Sequence, residues 1–307
     1  MPSHDKPFLD PFDYLTSLHN QLWMICFPNA KINLGLRVLR KRSDGYHDIE
    51  SIFFPIPLSD ILEIVESDAD TGCMIEFSSG RSAHYSHSGL GFVGDPMDDL
   101  IVKACELYDR QIGIPFHIHI HIHKLIPSGA GLGGGSSDAA HTLLLLDRLN
   151  NHKAGSDELL KMSSNLGSDC PFFLLNEPCL GLGRGEQLSK VDFSLKGFWL
   201  LLVKPSFGVS TAEAYSGVIP NERLNESSLV GLLNATQSNW KQSLVNDFES
   251  GVFSKHGELS DIKSKLYQLG AVYASMSGSG STMFGIFEKV PVYSGCFDDC
   301  FTFCSEL

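Results

Sequence analysis

Apolar and polar side chains alternate over residues 25–39, with Ile32, Leu34, Leu36 and Val38 on one side and Asn33, Gly35 and Arg37 on the other. That period of two predicts a strand. A turn is expected at Ser43-Asp44-Gly45, because Asp-Gly accepts the backbone conformations of a tight hairpin. Residues 49–57 and 60–66 predict two more strands. Over 98–110 the period lengthens, and Leu100, Ile101, Ala104 and Leu107 make a helical stripe. The next segment, 116–124, reads FHIHIHIHK, so Ile118, Ile120 and Ile122 share one face and His117, His119, His121 and His123 the other. Histidines two residues apart can bind a metal ion; the plainer reading is a strand with a polar outer face. Helices are further expected over 136–149, 156–165, 211–216, 247–254 and 260–269, and strands over 179–184, 198–203 and 283–288 and directly after Gly270. Strands and helices mixed in this order predict an α+β protein with a domain seam near Lys196.

Composition narrows what such a fold can serve. A chain of 307 residues, 43% hydrophobic, can bury a large core. Its net charge of −13 opposes nucleic acid or an anionic membrane as main partner, so an anionic ligand needs positive charge concentrated locally. No apolar run approaches the ~18 residues of a membrane span, and residues 1–22 carry Asp5, Asp10 and Asp13 rather than a signal peptide's apolar stretch. A cytoplasmic location is expected. The eight cysteines form no CxxC pair and read as thiols of a reducing compartment. Cys296, Cys300 and Cys304, spaced by four, would line one helix face, as packing rather than as metal ligands.

The candidate chemistry begins at Pro127-SGAGLGGGSSDAA-His141. Gly129, Gly131, Gly133, Gly134 and Gly135 let a backbone approach a ligand closely, and a helix starting there aims N–H groups and a dipole at an anion. This is a phosphate cradle. It satisfies G-x-G-x-x-G literally, without the acidic residue about 20 positions on that a nicotinamide site requires. It also lacks the lysine of a Walker A loop, so a cation must come from elsewhere. Lys31, Arg37, Arg40, Lys41 and Arg42 supply five basic residues with no acidic one between, as a ligand-facing patch or as a solvated strand edge. Asp169, in Leu166-Gly-Ser-Asp-Cys-Pro, is either a general base or a turn cap. A second small-residue loop over Ser277, Gly278, Ser279, Gly280 and Ser281 either closes over a phosphate or merely connects two strands.

PNAKINLGL, SDGYHDIESIF, IPSGAGLGGGSSDAA, LGSDCPFFL, GRGE and SMSGSGSTMF, taken in order, resemble the GHMP kinase superfamily over most of residues 24–288. The PNAK opening and Gly45-Tyr46-His47 resemble its branch that phosphorylates a cytidine diphosphate ester of methylerythritol on the 2-hydroxyl. The resemblance implies a two-domain fold: an N-terminal extension over 1–23, an ATP-binding α/β domain like ribosomal protein S5 over 24–195, and a C-terminal α/β domain over 196–307, with the site at their interface. It implies ATP and Mg²⁺ as cofactors, Asp169 as catalytic base and Lys31 as its partner. Lys124, Pro127, Ser128, Gly129, Ala130, Gly131, Leu132, Gly133, Gly134, Gly135, Ser136 and Ser137 would hold ATP, with Ser137 also a metal contact. Asn33, Tyr46, His47, Thr211 and Tyr215 would hold the substrate, Tyr46 and Tyr215 by stacking and His47 at the base edge. Ser277 to Ser281 would line the site from the second domain. Asp99 stands where many relatives carry Asn near the adenine. Residues 1–23 are expected to be dispensable, since the resemblance starts at Met24. A homoserine or mevalonate type of kinase is the alternative within the superfamily, and a non-catalytic binding protein the alternative outside it.

Overall fold

A computed structural model describes residues 23–67, 75–90, 95–223 and 226–307, so the expected extension lies, but for Trp23, outside the described residues. The chain divides into two compact units, each assembled from separate stretches.

Of the described residues, those within 23–28, 59–126 and 135–167 make up the first unit. Its sheet runs in the order Trp23–Cys26, Ile61–Glu66, Ile118–Lys124, Ser82–Gly89, Ile75–Glu76, with the third and fourth strands parallel and the other pairs antiparallel. The alternation around 116–124 carries through: Ile118, Ile120 and Ile122 are buried, each worth about 1.5–3 kcal/mol over exposure. On the opposite face the histidines meet serines of the parallel neighbour, His117 with Ser82 at 2.7 Å and His121 with Ser86 and Ser88, both at 2.9 Å. Helix Leu100–Gln111 starts where the carboxylate of Asp99 accepts the N–H of Ile101. Helix Gly134–Leu149 is buried nearly all round, through Leu143, Leu145 and Leu146 but also Asp138 and His141.

The second unit takes 29–58, 127–134 and 168–307 and holds two four-stranded sheets. One has the order Asn29–Lys41, His47–Ser59, Cys179–Leu182, Gln187–Lys190; the other is antiparallel, Tyr273–Met276, Met283–Phe287, Trp199–Lys204, Phe301–Glu306. Leu36, Val38, Leu201, Val203, Phe248, Leu259, Leu266, Met276 and Met283 share one core there.

Two expectations need correcting. The single strand expected over 25–39 is two, Trp23–Cys26 and Asn29–Lys41, separated at Phe27-Pro28 where proline has no N–H to give a ladder. The helix face expected for Cys296, Cys300 and Cys304 does not exist: Cys296 lies in a turn and Cys304 in strand Phe301–Glu306, pairing with Leu201. Cys300 and Cys304 do pack against the core. Among the described residues no helix is long and apolar enough to cross a membrane.

Candidate active site

Strand Asn29–Lys41 is buried on both faces, so its polar side chains must find partners inside the protein. Lys31, 3% exposed, gives its ammonium to Asn33 Oδ1 at 2.7 Å and stands 3.5 Å from the carboxylate of Asp169. Asn33 in turn donates to Ser51 Oγ at 2.8 Å, and Ser51 to the Gly35 carbonyl. The chain fixes the lysine at both ends. Asp169 sits at the start of the short helix Cys170–Leu175, yet its side chain makes no capping hydrogen bond. It is one-third exposed and faces the ammonium.

These groups open on a cavity of about 540 Å³. Its walls include Lys31, Asn33, Tyr46, His47, Ser168, Asp169, Arg184, Thr211 and Tyr215, with Gly129, Gly131 and Gly133 on one side and Gly278, Ser279 and Gly280 beside them. The two glycine loops touch directly. A Cβ on Gly131, whose φ is +74°, would stand 2.0 Å from the Ser277 carbonyl oxygen, and Ser277 Oγ donates to the Gly131 carbonyl at 2.8 Å. Gly133, at φ +73°, is held less tightly: a Cβ there would meet the ring of Phe173 at 2.8 Å and the stem of Lys31 at 3.2 Å. The second loop is held from behind by Asn246, buried, whose Nδ2 donates to the carbonyls of Met276 and Gly278, both at 2.8 Å.

Ring contacts organise another part of the wall, where Tyr215 also packs edge-on against Phe248, centroids 4.8 Å apart. His47 stacks on Tyr215, centroids 4.6 Å apart and planes 17° from parallel, while Tyr46 lies under the guanidinium of Arg184 at 4.9 Å. Burial, helped by Lys41, lowers the pKa of His47 and favours the neutral ring, which has one donor and one acceptor to offer. Burial and the nearby Asp169 push the Tyr215 phenol up to about 12.

Of the five basic residues at positions 31–42, Lys31 alone lines this cavity. Arg37 is buried against Glu50 at 3.0 Å, Arg40 pairs with Asp48 at 2.5 Å, and Arg42 pairs with Asp44 and Asp48, both at 2.9 Å. Sequence reading quoted GRGE for the resemblance but gave Arg184 no role, and it did not single out Asn246. The left-handed glycines at 183 and 185 that flank Arg184 were the available signal; Asn246 follows an ordinary Leu-Val pair and carried none.

Lys124 belongs to the first unit, where it is shared by the buried carboxylates of Asp60 and Asp138. Burial lowers the pKa of this ammonium, but the two acids raise it by more. Burial also pushes Asp138 well above the ordinary carboxylate range, and its Oδ1 has no partner among the described residues. In the same unit Ser137 is fully buried, its hydroxyl 3.4 Å from His141 Nδ1. Asp99 accepts from the hydroxyl of Tyr85 at 2.7 Å.

Residues 99–177 match the GHMP kinases N terminal domain and residues 224–292 the GHMP kinases C terminal domain. Sequence relatives are more specific. The 4-diphosphocytidyl-2-C-methyl-D-erythritol kinase of Parabacteroides distasonis is 46% identical over 287 residues, covering 92% of this chain and all of that protein. The protein of that name from Cytophaga hutchinsonii is 43% identical, covering 87% of this chain and 94% of its own length. A crystal structure of 4-(cytidine 5'-diphospho)-2C-methyl-D-erythritol kinase superposes with a TM-score of 0.71 at 31% identity, covering 86% of this chain and 90% of that one. Mevalonate kinase of Methanococcus jannaschii, with a TM-score of 0.64 at 15% identity over 92% and 98% of the two chains, shares the fold. The chain belongs to the 4-diphosphocytidyl-2-C-methyl-D-erythritol kinase family of the GHMP kinases.

Proposed function

We propose that the protein transfers the γ-phosphoryl group of ATP to the 2-hydroxyl of 4-diphosphocytidyl-2-C-methyl-D-erythritol, giving the 2-phosphate and ADP, within the methylerythritol phosphate route to isoprenoid precursors. The observation that carries this reading is the Lys31–Asp169 pair at 3.5 Å on the wall of a cavity edged by two glycine loops. Asp169 accepts the hydroxyl proton as the substrate oxygen attacks the γ-phosphorus and ADP leaves. Lys31, 3.5 Å from that carboxylate, offsets charge on the phosphoryl group in transit. Asn33 orients Lys31 and, through it, the base.

ATP would lie along Pro127 to Ser137, its phosphates on loop N–H groups and the start of helix Gly134–Leu149. Lys124 completes this site in our reading. Mg²⁺ keeps several waters and takes few protein oxygens, so it would arrive with the phosphates. The hydroxyl of Ser137 is a suitable hard donor, provided it turns from His141. The cytosine would enter beside Tyr46, His47, Thr211 and Tyr215, and this aromatic set favours a cytidine substrate over homoserine or mevalonate. Ser277 to Ser281 would close over the transferring phosphate. We retain cytoplasmic location, and domains over 24–195 and 196–307, each of which contains one of the two GHMP matches.

The test is a coupled ADP-release assay with the cytidine ester, homoserine and mevalonate. Turnover with the first alone is expected, and turnover with either other substrate alone defeats the assignment. Asp169→Asn should lower kcat at least ~100-fold, the low end of general-base contributions, while ATP still binds. Near-normal turnover would remove Asp169 as base.

A further inference from the structure

We propose that Arg184 recognises the diphosphate of the substrate and so sets the preference for a nucleoside diphosphate ester over a bare nucleoside. The inference rests on the cytidine reading above and names the residue that reads a different part of the same ligand. Among the described residues the lysine and arginine side chains on the cavity wall are Lys31 and Arg184. Lys31 is already engaged, with Asn33 Oδ1 at 2.7 Å and Asp169 at 3.5 Å. A diphosphate brings further negative charge to a wall that already holds a carboxylate, and a second cation is required to offset it.

Arg184 is held for that task but not used up. It occupies the turn between strands Cys179–Leu182 and Gln187–Lys190, closed by the Gly185 N–H donating to the Leu182 carbonyl at 3.0 Å. Gly183 at φ +69° and Gly185 at φ +114° give the turn a path that side-chain-bearing residues resist. Glu186 accepts the Arg184 backbone N–H at 2.7 Å, which pins the main chain. The guanidinium rests over the Tyr46 ring at 4.9 Å, a cation–π contact that fixes its height. Among the described residues its sole carboxylate within ion-pair range is Glu186, at the 4.0 Å limit and only toward Nε, and its Nη groups make no hydrogen bond. Arg37 and Arg42 differ: Nη groups of both meet carboxylates at 3.3 Å or less. A planar fork with free Nη donors, one-third exposed beside a candidate base platform, suits two phosphate oxygens attached to a nucleoside.

Calorimetric titration of the full-length chain with CDP and with cytidine separates the possibilities. Wild type should bind CDP more tightly than cytidine. Arg184→Gln should weaken CDP about 10- to 100-fold, as for a lost charge-assisted hydrogen bond, with cytidine within about twofold of wild type. Arg184→Lys, which keeps the charge without the fork, should fall between, with CDP affinity falling more steeply with salt than cytidine affinity in wild type. Equal weakening of CDP and cytidine means Arg184 only props Tyr46, and unchanged CDP affinity means it does not meet the phosphates; either result overturns the proposal. Wild type that binds ATP but neither CDP nor cytidine would instead overturn the cytidine reading, and this inference with it.

Discussion

His141 should make the protein measurably acid-labile, and the size of the effect follows from its surroundings. The imidazole is 2% exposed within helix Gly134–Leu149, four residues after Ser137, and its Nδ1 lies 2.8 Å from the Ser137 carbonyl. That contact makes Nδ1–H the donor. Burial drives the pKa down from 6.5 to about 4, and the Ser137 carbonyl offsets only part of the shift. A base whose folded pKa is depressed leaves stability intact above its unfolded pKa and removes it as pH falls toward the folded one. Above pH 6.5 both states are neutral and nothing is lost. Below it the unfolded chain takes a proton that the folded chain refuses, costing about 2 kcal/mol at pH 5 and approaching ~3.4 kcal/mol below pH 4. His141→Gln removes the titration while leaving an amide that can donate to the same carbonyl. Urea unfolding at pH 7.5 and pH 5.0 should therefore show wild type losing about 2 kcal/mol more than the variant between the two conditions. Equal losses would mean that the ring is protonated in the folded state, and the burial argument would fail.

Gly131→Ala places a Cβ 2.0 Å from the Ser277 carbonyl oxygen at a φ of +74°. The backbone strain alone costs about 1–2 kcal/mol, and the loops must separate, so both melting temperature and ATP affinity should drop; an unchanged variant would show that the close approach is unnecessary. His47→Ala should weaken cytidine binding, because the base edge loses a partner, while ATP binding holds. The reverse pattern in a titration with both ligands removes His47 from the base site.

Where one face of an element is buried and the other is wet, the chain displayed its structure openly, as in the isoleucines and histidines of Ile118–Lys124. Where burial is two-sided the signal faded. Residues around Phe27-Pro28 are apolar on both flanks, so the break between two strands of different sheets left no change of period. The cysteines misled for a geometric reason: a spacing of four fits one helix face, but here Cys300 ends a turn and only Cys304 lies in the strand that follows. Pairing of Phe301–Glu306 with the central strand Trp199–Lys204 decided for the strand. Strand Ser82–Gly89 escaped notice because its buried positions begin with Ala83 and Tyr85 among serines and histidines, too weak an alternation to stand out. The glycine loop itself was legible from its composition, whereas its contact with the second loop, between Gly131 and Ser277, joins positions far apart in the chain.

Charge shows the same limit in a form that bears on function. Counting along residues 31–42 finds five cations and no acid, which suggests a strong local field inside a chain of net charge −13. Strand His47–Ser59 lies beside that segment in the sheet and brings Asp48 and Glu50, which with Asp44 of the preceding turn neutralise Arg37, Arg40 and Arg42. What remains facing the cavity is Lys31, itself matched by Asp169, and Arg184 from a turn more than 140 positions away. On the function proposed above, an anion entering the cavity would therefore meet these two side chains rather than a basic surface. Screening should act accordingly: at short range in a partly enclosed site, ligand affinity should fall only modestly as salt rises, far less than for a protein that attracts anions through an exposed basic patch.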